Sequence, residues 1–211
     1  MPDILTLNRS LFAEVTPAGA YYAVASAHLD SARKMLIRLL TEGTNRPPSE
    51  EQLMAWSELG SPDDAVQLLY RLQRLDFVRG TETPKRMPQG SLESILPNLL
   101  ASLSSTGRSI LADDSGFYLV TSGFYHEAAV EIAALAGDIL TMSNRHALLL
   151  KNNLNINSNA WAIMDPAGQS ELGFFPMYMG NQSFVLIIDG APRLQGDEFV
   201  TLVQALSYRY G

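Results

Sequence analysis

The segment from Ser109 to Leu140, SILADDSGFYLVTSGFYHEAAVEIAALAGDIL, constrains the fold more than any other part of this chain. It predicts a strand over about Ser109–Ala112, a turn at Asp113-Asp114-Ser115-Gly116, and a second strand over about Phe117–Ser122. The turn residues tolerate tight backbone geometry, and Gly116 can take positive φ without cost. A long helix over about Tyr125–Met142 follows. Its acids, Glu127, Glu131 and Asp138, are spaced by four and seven and share one narrow stripe. Nearly all the rest of its circumference is Ala, Val, Ile, Leu or Gly. A helix lying on a sheet needs an apolar face of roughly a third of its circumference, and this one has about twice that. Two readings follow. The helix is buried on both sides within one domain, or it packs on its own sheet with one face and on a second chain with the other. A domain of this size covers both sides poorly, which favours self-association, with Ala129 and Ala133 on the contacting face.

The remaining composition bounds the function classes. The chain has 211 residues, enough for one large or two small domains, and its apolar content is that of a folded protein. Its net charge of −7 disfavours nonspecific binding to nucleic acid or anionic membranes. It has no cysteine, so disulfides, thiol nucleophiles and thiolate metal sites are excluded. The start, MPDILTLNRSLFAEV, lacks a basic region followed by an apolar core, so no secretory leader is expected. The longest apolar runs are strand-sized. A soluble, cytoplasmic protein without membrane segments is expected.

The composition changes at Gly80–Gly90, GTETPKRMPQG, a Pro- and Gly-containing stretch of the kind that links domains. Before it, Lys/Arg and Asp/Glu nearly balance. After it, eleven acids face five bases. We therefore divide the chain into residues 1–88 and 89–211.

In the first part, Ala27–Leu40 carries Ala32, Met35, Leu36, Leu39 and Leu40 on one helical face, with Gly43 as a stop. Ser49-Glu-Glu-Gln52 fits a capping box, in which Ser and Gln each satisfy a free backbone N–H. Ser61-Pro62-Asp63-Asp64 is a stronger start. Ser caps, Pro occupies a position whose N–H is unused, and two acids face the positive helix end. Ala65, Leu68, Leu69, Leu72 and Leu75 then form a stripe, and Phe77-Val78-Arg79 leaves it as a strand. This order of helix, short helix, Leu-rich helix and strand, ending in LLYRLQRLDFVRG, resembles a winged-helix domain over roughly residues 22–85.

In the second part, Leu92, Ile95, Leu96, Leu99, Leu100 and Leu103 share a helical face. Pro97 suits that helix best if Ser94 is the cap, because Pro then lies in the first turn; a kinked helix with an earlier start is the alternative. After the long helix come three strands, about Ala160–Met164, Leu172–Met177 and Phe184–Ile188, and a final helix over about Leu194–Tyr208.

The order helix, strand, strand, long helix, three strands, helix resembles the Roadblock/dynein light chain family. So does ILADDSGFYLVTSG followed by an Ala/Leu-rich helix. Leu111, Asp113, Gly116, Ser122 and Gly123 match a pattern common in that family. The resemblance covers residues 91–211. It implies an α+β fold, with a five-stranded antiparallel sheet flanked by helices behind the winged-helix-like domain. It also implies a homodimer joined through the central helix and the third strand. Ala129, Ile132, Ala133, Ala136, Trp161 and Ile163 are then the interface candidates. A small Ras-like GTPase is the partner class such domains serve, as regulators or scaffolds. The family transfers no catalytic or metal residues.

Nothing in the motifs points to catalysis. His126-Glu127 begins like a zinc-protease helix, but residue 130 is valine, so the second ligand is missing. No phosphate-binding glycine loop or nucleophile elbow occurs. No catalytic, cofactor or metal residue is therefore assigned. The winged-helix resemblance raises DNA binding, for which Arg71, Arg74, Lys85 and Arg86, with Arg79, are the candidate contacts. Asp63 and Asp64 would repel phosphates at the same helix. The expected function is a non-catalytic regulator or scaffold that dimerises and binds a protein. The alternatives are a winged-helix transcription regulator and a small-ligand sensor.

Overall fold

A computed structural model describes residues 5–42, 46–85 and 91–211. The chain forms two compact units. The first comprises Met1–Gln89 together with Gln195–Gly211, and the second is Gly90–Leu194.

The first unit opens with β1 (Phe12–Val15) and α1 (Pro17–Val24), neither of which the sequence reading identified. α1 nevertheless carries start signals. Thr16 caps it by accepting from Gly19 N–H, and Pro17 follows at the first position. α2 (Ser31–Thr41) starts later than expected, because Asp30 is the cap. The expected stop at Gly43 lies outside the described residues. α3 (Glu50–Ser57) opens with the Ser49/Gln52 capping box, and α4 (Pro62–Arg74) opens with Ser61 as cap. β2 (Val78–Thr81) then pairs antiparallel with β1, Val15 opposite Val78 and Phe12 opposite Thr81. Both strands are four residues long.

The last helix of the chain, α7 (Asp197–Tyr210), completes this unit rather than the second, where the sequence reading placed it. It packs against α1 and α2. Phe199 is fully buried with its ring near that of Tyr21, whose hydroxyl pKa is raised by the same burial. Gln204 is buried and donates to the carbonyl of Leu40 at 2.7 Å. That carbonyl lies in the last turn of α2, where the helix itself offers no donor. Amphipathic spacing showed that α7 has a buried face. It carries no information about which core that face enters.

The second unit begins with α5 (Leu92–Ser102), capped at Ser91. Pro97 therefore sits inside the helix, contrary to the expected start at Ser94. Ser94 instead turns its hydroxyl back to the Ser91 carbonyl, at 2.7 Å. Five strands follow in one antiparallel sheet: β3 (Ser109–Asp113), β4 (Tyr118–Ser122), β5 (Trp161–Met164), β6 (Ser170–Met179) and β7 (Gln182–Asp189). Their spatial order is β4-β3-β7-β6-β5, which bears out the expected five-stranded antiparallel sheet. β7 is central to it and almost wholly buried.

α6 (His126–Leu148) crosses one face of this sheet. Strand alternation sends Ile110, Ala112, Phe174, Val185 and Ile187 toward it. Leu111, Leu186 and Ile188 point to the other face, where α5 packs against β3 and β4. Phe174 and Phe175 accordingly face opposite ways, and of the two only Phe174 is fully buried. Among the described residues, no helix is long and apolar enough to cross a membrane.

Candidate interaction surface

The hairpin turn explains part of the small-residue content of α6. Asp113 Oδ1 accepts from Ser115 N–H at 3.0 Å and Phe117 N–H at 2.9 Å, closing the turn on itself. Gly116 has φ of +85°, a region that favours glycine. The turn lies directly on the helix. A Cβ at Gly116 would stand 3.1 Å from the Cα of Ala134, and one at Gly137 would stand 3.4 Å from the Cα of Gly116. Two backbones meet there, and the added Cβ is tight at Gly116 while at Gly137 it makes ordinary contact. Asp113→Ala removes both accepted bonds and should destabilise the second unit by about 1–2 kcal/mol. Urea unfolding followed by circular dichroism measures the loss.

The remaining small residues face the sheet. Ala129, Ala133, Ala136, Leu140 and Ser143 are the buried residues of α6. The first four belong to the core cluster with Ile110, Ala112, Phe174, Val185 and Ile187. The structure separates the six interface candidates. Ala129, Ala133 and Ala136 are inside the unit, and Ile132 and Trp161 are partly buried against the same cluster. Of the six interface candidates, only Ile163 is exposed, at 48%. The physical reason lies in helix phase. Residues 129, 133, 136 and 140 recur by four, three and four, and the stripe opposite them is Glu127, Glu131 and Asp138. Those acids are exposed, so the alanines beneath them must point inward.

The outward face of α6 is mixed. Val130, Leu135 and Met142 are exposed beside the three acids. The helix also runs further than the expected Met142, to Leu148. It then continues through a π-helical turn, Leu149–Asn153. Beyond Ser143 every residue up to Ser158 is exposed except Leu150. Leu148, Leu149, Leu154 and Ile156 are therefore solvent-facing. β5, the outermost strand next to β6, adds Ile163 and Met164 and leaves one backbone edge unpaired in the sheet. Monomeric proteins seldom leave so many large apolar side chains on one helix and one sheet edge.

The basic candidates of the first unit do not form one cationic edge. Arg71 and Arg74 are exposed in the last turn of α4, but Asp63 and Asp64 occupy its first turn. Arg79 is bound to Glu14 at 2.9 Å, which holds its guanidinium pKa above the usual value. Lys85 lies between Asp197, at 3.1 Å, and Glu14, at 3.6 Å. Arg86 lies outside the described residues. Charges already paired within the unit offer little net attraction to phosphate.

His126 accepts or donates a 2.7 Å hydrogen bond with the Tyr118 hydroxyl through Nδ1. No group of three or more metal-ligating side chains occurs among the described residues. What the second unit presents is thus an apolar surface on a helix and a sheet edge.

No family model matches this chain, and no curated protein does. Among solved structures it is similar to the crystal structure of a Roadblock/LC7 domain from Streptomyces avermitilis. The identity is 13%, the TM-score is 0.36, and the match covers 57% of this chain and 93% of the other.

Proposed function

We propose that this protein is a non-catalytic regulator or scaffold that forms a homodimer through its second unit and binds a protein partner. The observation that carries the reading is the set of large apolar residues on the outer face of α6 and on the β5 edge, Val130, Leu135, Met142, Ile163 and Met164. The order and pairing of the five strands, and the Asp113–Gly116 turn seated on α6, fit the Roadblock resemblance. That resemblance supplies a small Ras-like GTPase as the partner class. The first unit, with its paired arginine and lysine, serves protein contact in this reading rather than DNA.

Sedimentation equilibrium tests the dimer. The wild-type chain should show the mass of two chains. Leu135→Glu combined with Ile163→Lys should reduce it to one, with the circular dichroism spectrum unchanged. A one-chain mass for the wild type at high micromolar concentration would overturn the proposal.

A further inference from the structure

The first unit holds a cavity of about 140 Å³ that opens to solvent on one side. Folded interiors seldom leave a void much larger than a water molecule, so its walls matter. One wall is α4. Val66, Leu69, Tyr70 and Gln73 recur by three, one and three residues and share one face of that helix. This face adjoins the core stripe of Ala65, Leu68 and Leu72, and Leu69 belongs to both. The opposite wall is the chain that leads into β1. Leu5 and Leu7 there are half-buried, while Thr6 and Asn8 are exposed. Asn8 Oδ1 fixes the bend that follows, accepting from Ser10 N–H at 3.1 Å and from the Ser10 hydroxyl at 2.7 Å. The floor is the β1–β2 ribbon, where Ala13 stands opposite Gly80 in register. The room exists because these paired positions carry the two smallest residues. A Cβ at Gly80 would first meet the side chain of Leu11, at 3.0 Å.

We propose that this cavity binds a neutral small molecule built on a single ring and ending in a hydrogen-bonding group. Size sets the first part of the class. An apolar cavity of about 150 Å³ takes a benzene-sized molecule, whereas drug-sized ligands need about 300 Å³ or more. Charge sets the second. No residue lining the cavity is charged, so an ionised ligand would give up its water without gaining a partner. The polar end follows from α4. Tyr70 and Gln73 are the exposed members of the cavity face, so they lie toward its mouth. Among the described residues, neither the Tyr70 hydroxyl nor the Gln73 carboxamide is hydrogen-bonded within the protein. Together they offer donors and an acceptor above an apolar chamber, the arrangement that orients a small ligand by one end. The site lies wholly in the first unit and does not depend on the dimer formed by the second.

Chemical-shift titration of the nitrogen-15-labelled full chain tests the site, with benzyl alcohol, toluene, benzoate and benzylammonium as probes. Benzyl alcohol should shift the amides of Val66, Leu69, Gln73 and Gly80 saturably. Benzoate and benzylammonium should bind at least about tenfold more weakly, because each must bury an unpaired charge. Tyr70→Phe combined with Gln73→Leu alters only exposed side chains. It should weaken benzyl alcohol about tenfold and leave toluene unchanged, since only the alcohol uses the polar end. Ala13→Leu should fill the chamber and weaken both neutral probes about tenfold or more. If that variant does not fold, the double variant and the charged probes decide the matter. Three results would each overturn the proposal: no saturable shift at these amides with benzyl alcohol, charged probes bound as tightly as neutral ones, or equal losses of toluene and benzyl alcohol in the double variant.

Discussion

Ala133→Glu is expected to abolish the folded second unit rather than to dissociate a dimer. Ala133 is fully buried on the sheet side of α6, within the cluster of Ile110, Ala112, Phe174, Val185 and Ile187. The turn at Gly116 also comes close to its backbone, so the helix has little room to rotate a longer side chain outward. A glutamate there would have to enter an apolar core with no cationic partner, or push α6 off the sheet. Either route should cost at least ~4 kcal/mol, a large part of the stability of a domain this size. The variant should lose its cooperative thermal transition and accumulate as aggregate. Leu135→Glu, two residues further along, provides the contrast. Leu135 is on the outer seam, so its variant should melt within a few degrees of the wild type. A folded, monomeric Ala133→Glu would mean that α6 is turned by roughly half a revolution from the phase described.

The second large effect comes from a substitution that normally helps. In a helix interior, Gly→Ala usually stabilises by about 1 kcal/mol. Gly19 in α1 is an exception because the helix is pressed against the chain entering β2. A Cβ at Gly19 would overlap the carbonyl oxygen of Phe77 and stand 2.9 Å from its carbon. Backbone cannot move aside as a flexible side chain can. The same carbonyl accepts from Thr16 N–H at 3.1 Å, and the Thr16 hydroxyl donates to the Asp76 carbonyl at 2.6 Å. Separating α1 from this segment therefore also strains the α1 cap. Gly19→Ala should destabilise the first unit by about 2–3 kcal/mol. Denaturant titration in a Trp161→Phe background, with Trp56 fluorescence as the probe, would measure it, since Trp56 lies in α3 of that unit and Trp161 lies in the other. An unchanged midpoint would show that α1 sits further from Phe77 than described.

What the sequence made legible is local. The caps at Ser49 and Ser61 and the Asp113–Gly116 turn each depend on residues within four positions of one another, and all three are present. The five strands of the sheet appear near their expected places because Gly- and Asn-rich turns bound them. β1 and α1 were missed because the clear start signal at Thr16-Pro17 introduces only a single short helix of low amphipathic character. Pro97 misled in the opposite way, since packing of Leu96 and Leu100 holds the helix around it. The phase of α6 is the least legible feature. Alanine on both flanks of α6 looks alike, and the discriminating signal was the acid stripe. Glu131 and Asp138 mark the solvent side, so Ala129, Ala133 and Ala136 had to lie beneath.

The assignment of α7 to the first unit bears on how the chain is made. Its buried face contributes Phe199, Leu202, Val203 and Leu206, while the strands and helices of the same unit lie at residues 12–81. During synthesis those early elements must remain without their last partner for more than a hundred residues. Contacts of such long sequence separation are slow to close. The second unit is continuous in sequence and needs no residue beyond Leu194, so it can be completed first, although its codons are read later. The order of maturation is then the reverse of the order of translation. Early release of the growing chain would leave the first unit with an open apolar groove, a natural substrate for chaperones.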